Sequence, residues 1–249
     1  MTEKGNRVAA ITGSARNIGR ATALALARDG VSVLVHARQD REGVDETVAL
    51  IEGTGGAAHG HLADITEEDG AASVIGSALE RFGRVDILIN NAAIRRNTPI
   101  TKLSLGEWRE VMAVCLEGAF LCSRAAVPHM RAQGSGQIVN IGGLAGHRGM
   151  TGRVHVAAAK SGLVGFTKAL ATELADDGIT ATCVVPGLIE TERGAAAGGP
   201  PSHPLGTGTL IGREGHPEEI AAVVAMLCRP EAAFATGQTF HVNGGAYLA

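Results

Sequence analysis

The stretch Val8–Arg20, VAAITGSARNIGR, decides how the rest of the chain is read. A short apolar run ends in Thr12-Gly13, crosses a turn of small residues and enters a helical pattern at Ile18-Gly19. Strand, tight turn and helix in that order aim backbone N–H groups and the positive end of a helix dipole at one point, which suits a pyrophosphate. The central glycine of the usual three is Asn17 here. A short polar side chain tolerates a left-handed conformation better than most, so the turn survives with less room for a phosphate. Taken alone, the stretch reads equally well as an ordinary buried strand followed by a helix.

Composition narrows the choice. The chain has 249 residues, 45% hydrophobic but only 3% aromatic, with 35 glycines. Its core must therefore be aliphatic, Ala, Val, Ile and Leu packed closely across glycine contacts, as in parallel α/β sheets. No composition break divides it, so one domain is expected. A net charge of −3 argues against nucleic acid or an anionic membrane as partner. Cys115, Cys122, Cys183 and Cys228 form neither a C-x-x-C pair nor a metal-ligand spacing with histidines, so no metal site is expected and they read as reduced thiols. No apolar run is expected to reach membrane-spanning length, and the polar start MTEKGNR is no signal peptide, which points to a soluble, cytoplasmic protein.

Apolar strand-like runs alternate with longer helical patterns, the signature of βαβ units and a parallel sheet covered on both faces. Strands are predicted near Arg7–Ile11, Val31–His36, Ala57–Leu62, Val85–Asn90, Gln137–Ile141, Ile179–Val185 and Gln238–Val242. Helices are predicted over Ile18–Asp29, Arg41–Glu52, Thr66–Phe82, a long run to Arg131 opened by a Ser104/Glu107 capping box, Arg153–Ala175 and Pro217–Cys228. The segment 190–213 has no period and is rich in Gly and Pro, so it reads as a flexible lid on the substrate side.

With Asn90-Asn91-Ala92-Ala93 closing the fourth strand, the chain resembles a short-chain dehydrogenase/reductase, a single-domain doubly wound Rossmann fold with a seven-stranded parallel sheet. Asp64 after the third strand, Ile138-Val139-Asn140-Ile141, Lys160 in VAAAKSG, Pro186-Gly187 with Thr191, and Val242-Asn243-Gly244-Gly245 follow in the family's order. The resemblance implies a nicotinamide dinucleotide held by Gly13, Ser14, Arg16, Asn17, Ile18 and Gly19 in the first turn. It implies further contacts from Asp64 and Ile65, from Asn91 and Ala92, from Lys160, and from Pro186, Gly187, Ile189 and Thr191. Asp64 could instead cap the helix predicted at Thr66. The family also pairs its two long helices across subunits, which implies a homo-oligomer, a dimer or tetramer.

Charge bears on the choice of cofactor. Enzymes that prefer NAD place a carboxylate at the end of the second strand to grip the ribose 2′-hydroxyl. Here that region reads Val35-His36-Ala37-Arg38, with no acid before Asp40. A guanidinium is the natural partner of a 2′-phosphate, so Arg38 and Arg16 favour NADP(H) over NAD(H).

The family's chemistry uses an asparagine, a serine, a tyrosine and a lysine one helical turn after the tyrosine. Lys160 stands in the lysine position, but Val156 stands four residues before it, Gly143 takes the serine position and Cys115 that of the asparagine. Valine has no proton to exchange and glycine no side chain to polarise an oxygen. The resemblance therefore implies a divergent oxidoreductase-like protein with a degenerate catalytic tetrad. A non-redox hydrolase or lyase in the remodelled pocket and a catalytically inactive cofactor-binding or regulatory subunit are the alternatives. Arg95, Arg96, His147, Arg148, Arg153 and His155 lie on three segments that converge at the pocket mouth. Such cations suit an anionic small molecule, with His147 or His155 as a displaced acid/base. The expected substrate pocket is Arg95, Gly143, His147, Arg148 and Val156.

Overall fold

The computed structural model describes residues 7–191 and 208–248. Its centre is a parallel sheet of β1 (Val8–Ile11), β2 (Ser32–Ala37), β3 (Ala58–Leu62), β4 (Ile87–Asn90), β5 (Gly136–Ile141), β6 (Ile179–Pro186) and β7 (Thr239–Val242). The strands lie in the order β3-β2-β1-β4-β5-β6-β7, so the seven-stranded parallel expectation holds. The order reverses between β1 and β4, which opens a crevice at their carboxyl ends, where open α/β sheets take their ligands.

Strand periodicity explains why both faces are covered. Ala9, Ile11, Ile87, Ile89, Val139 and Ile141 point into one core layer, against α1 (Asn17–Arg28), α2 (Arg41–Glu52) and α8 (Pro217–Leu227). Their neighbours Val8, Ala10, Leu88 and Ile138 point into the other. That layer is built with α3 (Glu68–Phe82), α5 (Gly118–Gln133) and α7 (Val154–Glu173). Ile87, Leu88 and Ile89 are wholly buried, and each such side chain contributes roughly 1.5–3 kcal/mol relative to exposure.

The long helix expected from Ser104 onward is α4 (Leu105–Met112), one π turn (Ala113–Glu117) and α5. By length and composition Leu105–Gln133 is apolar enough to cross a membrane, contrary to the expectation that no run approaches that length. Its apolar residues Val111, Leu121, Cys122, Ala126 and Met130 are buried in the core of this fold. Only half of the capping box forms. Ser104 accepts the Glu107 N–H at 3.1 Å, but the Glu107 carboxylate turns to the Thr98 hydroxyl at 2.6 Å and to the ring of His155. α3 begins at Glu68 rather than Thr66, because Asp64 accepts from the Thr66 N–H and hydroxyl in a turn ahead of the helix. A short α6 (Ala145–Arg148) lies between β5 and α7. Of the lid segment 190–213, residues 192–207 lie outside the described residues; its base is held by a parallel bridge between Ile189 and Gly215.

Candidate cofactor and active site

The β1–α1 turn is pinned from three sides. Thr12 Oγ1 accepts from the N–H groups of Asn91 and Ala92, both at 3.0 Å, while the Asn91 amide donates to the carbonyls of Thr12 and Gly13 at 3.0 and 2.8 Å. Ser14 Oγ donates to the Ile11 carbonyl at 2.8 Å and accepts from the His36 N–H at 2.9 Å. Gly13 has φ +65° and lies so close to Ala92 that a β-carbon would meet its backbone at 2.9 Å. Asn17, φ +52°, takes the left-handed conformation expected of it.

His36 supports the same turn, a role the sequence did not reveal. Its Nδ1 accepts from the Gly13 N–H at 3.2 Å, so Nε2 carries the proton and donates to the Ala63 carbonyl at 3.0 Å. Burial pushes this imidazole down to about 4, against the opposing pull of the Ala63 carbonyl. The one available signal was an imidazole near the end of the buried strand SVLVHA.

These supports leave the start of α1 open. Arg16, at the N-cap, makes no side-chain cap and the first turn holds no acid, so the N–H groups of that turn and the dipole favour an anion there. They face a cleft of about 450 Å³. Gly13, Arg16, Asn17, Ile18, Gly19, Arg38, Asp64, Ile65, Asn91, Ala92, Arg95 and Thr191 all line it. Asp40 also lines it, but its carboxylate accepts from the Gly43 N–H at 3.0 Å as the cap of α2. Asp64 Oδ2 lies 3.8 Å from Arg38. Burial would raise the Asp64 carboxyl, but the two Thr66 hydrogen bonds and Arg38 outweigh it and hold it below its ordinary value. Arg95 donates to the Thr191 hydroxyl at 3.2 Å across the mouth.

The remaining expected residues do not line this cleft. Ser14 is buried behind the turn, Pro186 ends β6, Gly187 is packed on the Asn243 backbone and Ile189 is buried beside Gly215. Lys160 is buried, and its ammonium donates to the Ile141 carbonyl at 2.6 Å. Burial lowers its pKa; the neighbouring Cys115 and Cys183 push the other way and Arg95 adds to the lowering. Val156 and Cys115 pack together with Val111, Ala145 and Ala159 in a small apolar cluster. All four cysteines are free, buried thiols.

Neither histidine reaches the cleft lining. His155 is fully buried between α7 and α4, its Nε2 3.3 Å from the Glu107 carboxylate. His147 meets His241 edge-on and Tyr247 at a tilt, with ring centroids 4.5 and 5.6 Å away, and burial followed by the His241 charge lowers its pKa. Arg148 donates to the Ala246 carbonyl at 2.6 Å, tying α6 to the C-terminal segment. Arg96 holds Glu110 of α4 at 3.1 Å.

Known proteins resemble this chain along nearly its whole length. Residues 13–247 match the family model described as Enoyl-(Acyl carrier protein) reductase. A 3-oxoacyl-[acyl-carrier-protein] reductase from Synechocystis is 40% identical over 249 residues, covering all of both chains. The short-chain reductase protein NovJ of Streptomyces niveus is 39% identical, over 96% of this chain and 93% of its own. A dehydrogenase/reductase from Sinorhizobium meliloti superposes with a TM-score of 0.88 at 32% identity, over 97% of this chain and 95% of that one. The chain belongs to the short-chain dehydrogenase/reductase family, whose nicotinamide-dependent oxidoreductase framework it retains.

Proposed function

We propose that the protein binds NADP(H) in preference to NAD(H), and that its chemistry does not run through the family's serine, tyrosine and asparagine. One observation carries the cofactor reading: the acid nearest the end of β2, Asp40, is spent capping α2, while Arg38 stands at the cleft beside Asp64. A 2′-hydroxyl finds no free carboxylate at that end, and a 2′-phosphate finds a guanidinium. The open N-terminus of α1 suits the pyrophosphate. Bound there, the dinucleotide supplies a hydride; this chain's residues would bind and orient it.

Gly143, Val156 and Cys115 offer no strong proton donor for an ordinary carbonyl reduction. Losing a general acid costs on the order of 10²–10⁴-fold. The names of the relatives make 3-oxoacyl thioesters the first substrates to try. Arg95 at the mouth favours an anionic small molecule. A cytoplasmic homo-oligomer is part of the same reading, supported by Phe120 and Val154, apolar and exposed on the two long helices. Light scattering of the purified protein gives its mass.

Titration with NADPH and NADH, followed by nicotinamide fluorescence, tests the central claim. Tight NADPH and weak NADH binding is expected. Equal affinities overturn the preference, and no binding of either overturns the reading.

A further inference from the structure

We infer that His59 and His61 on the edge strand β3 form a binding site for a divalent transition metal of the zinc type, separate from the cofactor cleft. Neither ring lines that cleft. The cysteine spacing that spoke against a metal does not bear on two histidines two residues apart on a strand.

Strand geometry puts both rings on one face. Successive side chains of a strand alternate, so His59 and His61 point the same way and position 60 points the other. The packing agrees: a β-carbon on Gly60 would meet Val44 Cγ1 of α2 at 2.5 Å, whereas His61 reaches Ser73 of α3 at 3.0 Å. Leu34, the register partner of His59, is buried in the core layer built with α3. β3 is the outermost strand and both histidines are only half-buried, so the pair is within reach of solvent ions. The rings also feel each other, the charge of His59 being the largest influence on His61 after burial.

Hydrogen bonding fixes which His61 nitrogen is the ligand. The Ser73 hydroxyl has one proton and gives it to the Gly70 carbonyl at 2.8 Å. Toward His61 its oxygen therefore accepts, so Nε2 carries the ring proton and Nδ1 keeps a lone pair. Among the described residues no hydrogen bond engages that Nδ1 or either nitrogen of His59. Metal-binding histidines donate their other N–H to a fixed oxygen, which sets the tautomer and makes the ligating nitrogen more basic. Ser73 holds His61 in that arrangement. Burial, then the charges of His59 and Arg41, lower the His61 pKa against the pull of Glu80, which favours the neutral ring that a metal requires.

The donor set also selects the ion. Imidazole nitrogens suit zinc, nickel or copper, while magnesium and calcium prefer oxygen. Among the described residues no group of three or more His, Cys, Asp or Glu side chains is placed to hold a metal. The ion therefore takes two protein ligands and completes its shell with water.

Calorimetric titration of the protein with Zn²⁺, and with Mg²⁺ as control, tests the site in wild type, His59→Gln, His61→Gln and Ser73→Ala. Wild type should bind Zn²⁺ and not Mg²⁺. Loss of an outer partner of a ligating histidine alone costs about 10–100-fold in metal affinity, so Ser73→Ala should weaken zinc by about tenfold and each histidine variant by at least about as much. A ligand bound by the folded state stabilises it, so zinc should raise the urea midpoint of wild type and leave those of the histidine variants nearly unchanged. Urea melts without metal establish that each variant folds. No zinc binding by wild type overturns the inference, and so does wild-type affinity in either histidine variant. Undiminished binding by Ser73→Ala overturns the assignment of Nδ1 as the ligand.

Discussion

Gly143 lies against the stem of Lys160, with room at 3.4 Å for a β-carbon facing Cγ. A serine is therefore sterically admissible where the family has one. Val156 is 6% exposed and packs among small and flexible side chains, Ala145, Ala159 and Met150, which can move to admit a larger ring. The double variant Gly143→Ser/Val156→Tyr is expected to raise NADPH-dependent reduction of acetoacetyl thioester by about 10²-fold or more, because it supplies both a polarising hydroxyl and a proton donor. Loss of NADPH absorbance measures it. A variant that folds and binds NADPH yet gains no rate shows that some other feature controls this chemistry.

Cofactor selectivity should follow Arg38. It is half exposed and 3.8 Å from Asp64, so a phosphate must compete with water and with that carboxylate. Arg38→Ala is expected to weaken NADPH by about tenfold, the low end for a hydrogen bond to a charged group, and to leave NADH nearly unchanged. Arg16→Ala should act in the same direction. Fluorescence titration of each variant with both nucleotides decides the point; a parallel loss of both would mean that Arg38 does not read the phosphate.

The β1–α1 turn could be read from local pattern, and the side-chain contacts around it could not. Gly13, Asn17 and Gly19 mark the turn because each answers a backbone demand made within a few residues. The roles of His147, His155 and Lys160 depend on contacts between distant segments. His147 meets His241 and Tyr247, and His155 meets Glu107, which a local pattern assigns to a capping box. The π turn at Ala113–Glu117 escaped for a related reason: inserting one residue into a helical turn barely disturbs an apolar period. That Lys160 turns its nitrogen to Ile141 is a matter of side-chain direction, which spacing does not encode.

His36 makes stability depend on pH. In the unfolded chain its ring titrates near 6.5, and in the folded protein at about 4. The unfolded state therefore binds the extra proton between those values, so the contribution is full above about pH 6.5 and is lost as pH falls toward 4. On this basis wild-type protein should lose about 2 kcal/mol more between pH 7 and pH 5 than His36→Asn, whose side chain does not titrate. Urea unfolding of both proteins at the two pH values gives the difference. Identical pH slopes would show that the ring is not held neutral by the turn.

Asn17 is where backbone conformation and phosphate access meet. Among the described residues it alone, apart from glycines, has a positive φ, and its side chain lines the cleft at the open end of α1. Left-handed backbone costs an ordinary L-residue roughly 1–2 kcal/mol, less for asparagine, and it is worst for a β-branched side chain. Asn17→Val should therefore lower the unfolding free energy by about 1–2 kcal/mol, seen in urea melts. Asn17→Gly should leave stability within about 0.5 kcal/mol, since the conformational penalty it removes is offset by greater freedom in the unfolded chain. The same glycine variant removes a side chain from the path of the pyrophosphate, so NADPH should bind as tightly or more tightly, read by titration beside wild type. If NADPH binding weakens instead while stability holds, the asparagine amide is itself a cofactor ligand, and its place in the turn reflects recognition rather than a tolerated loss of space.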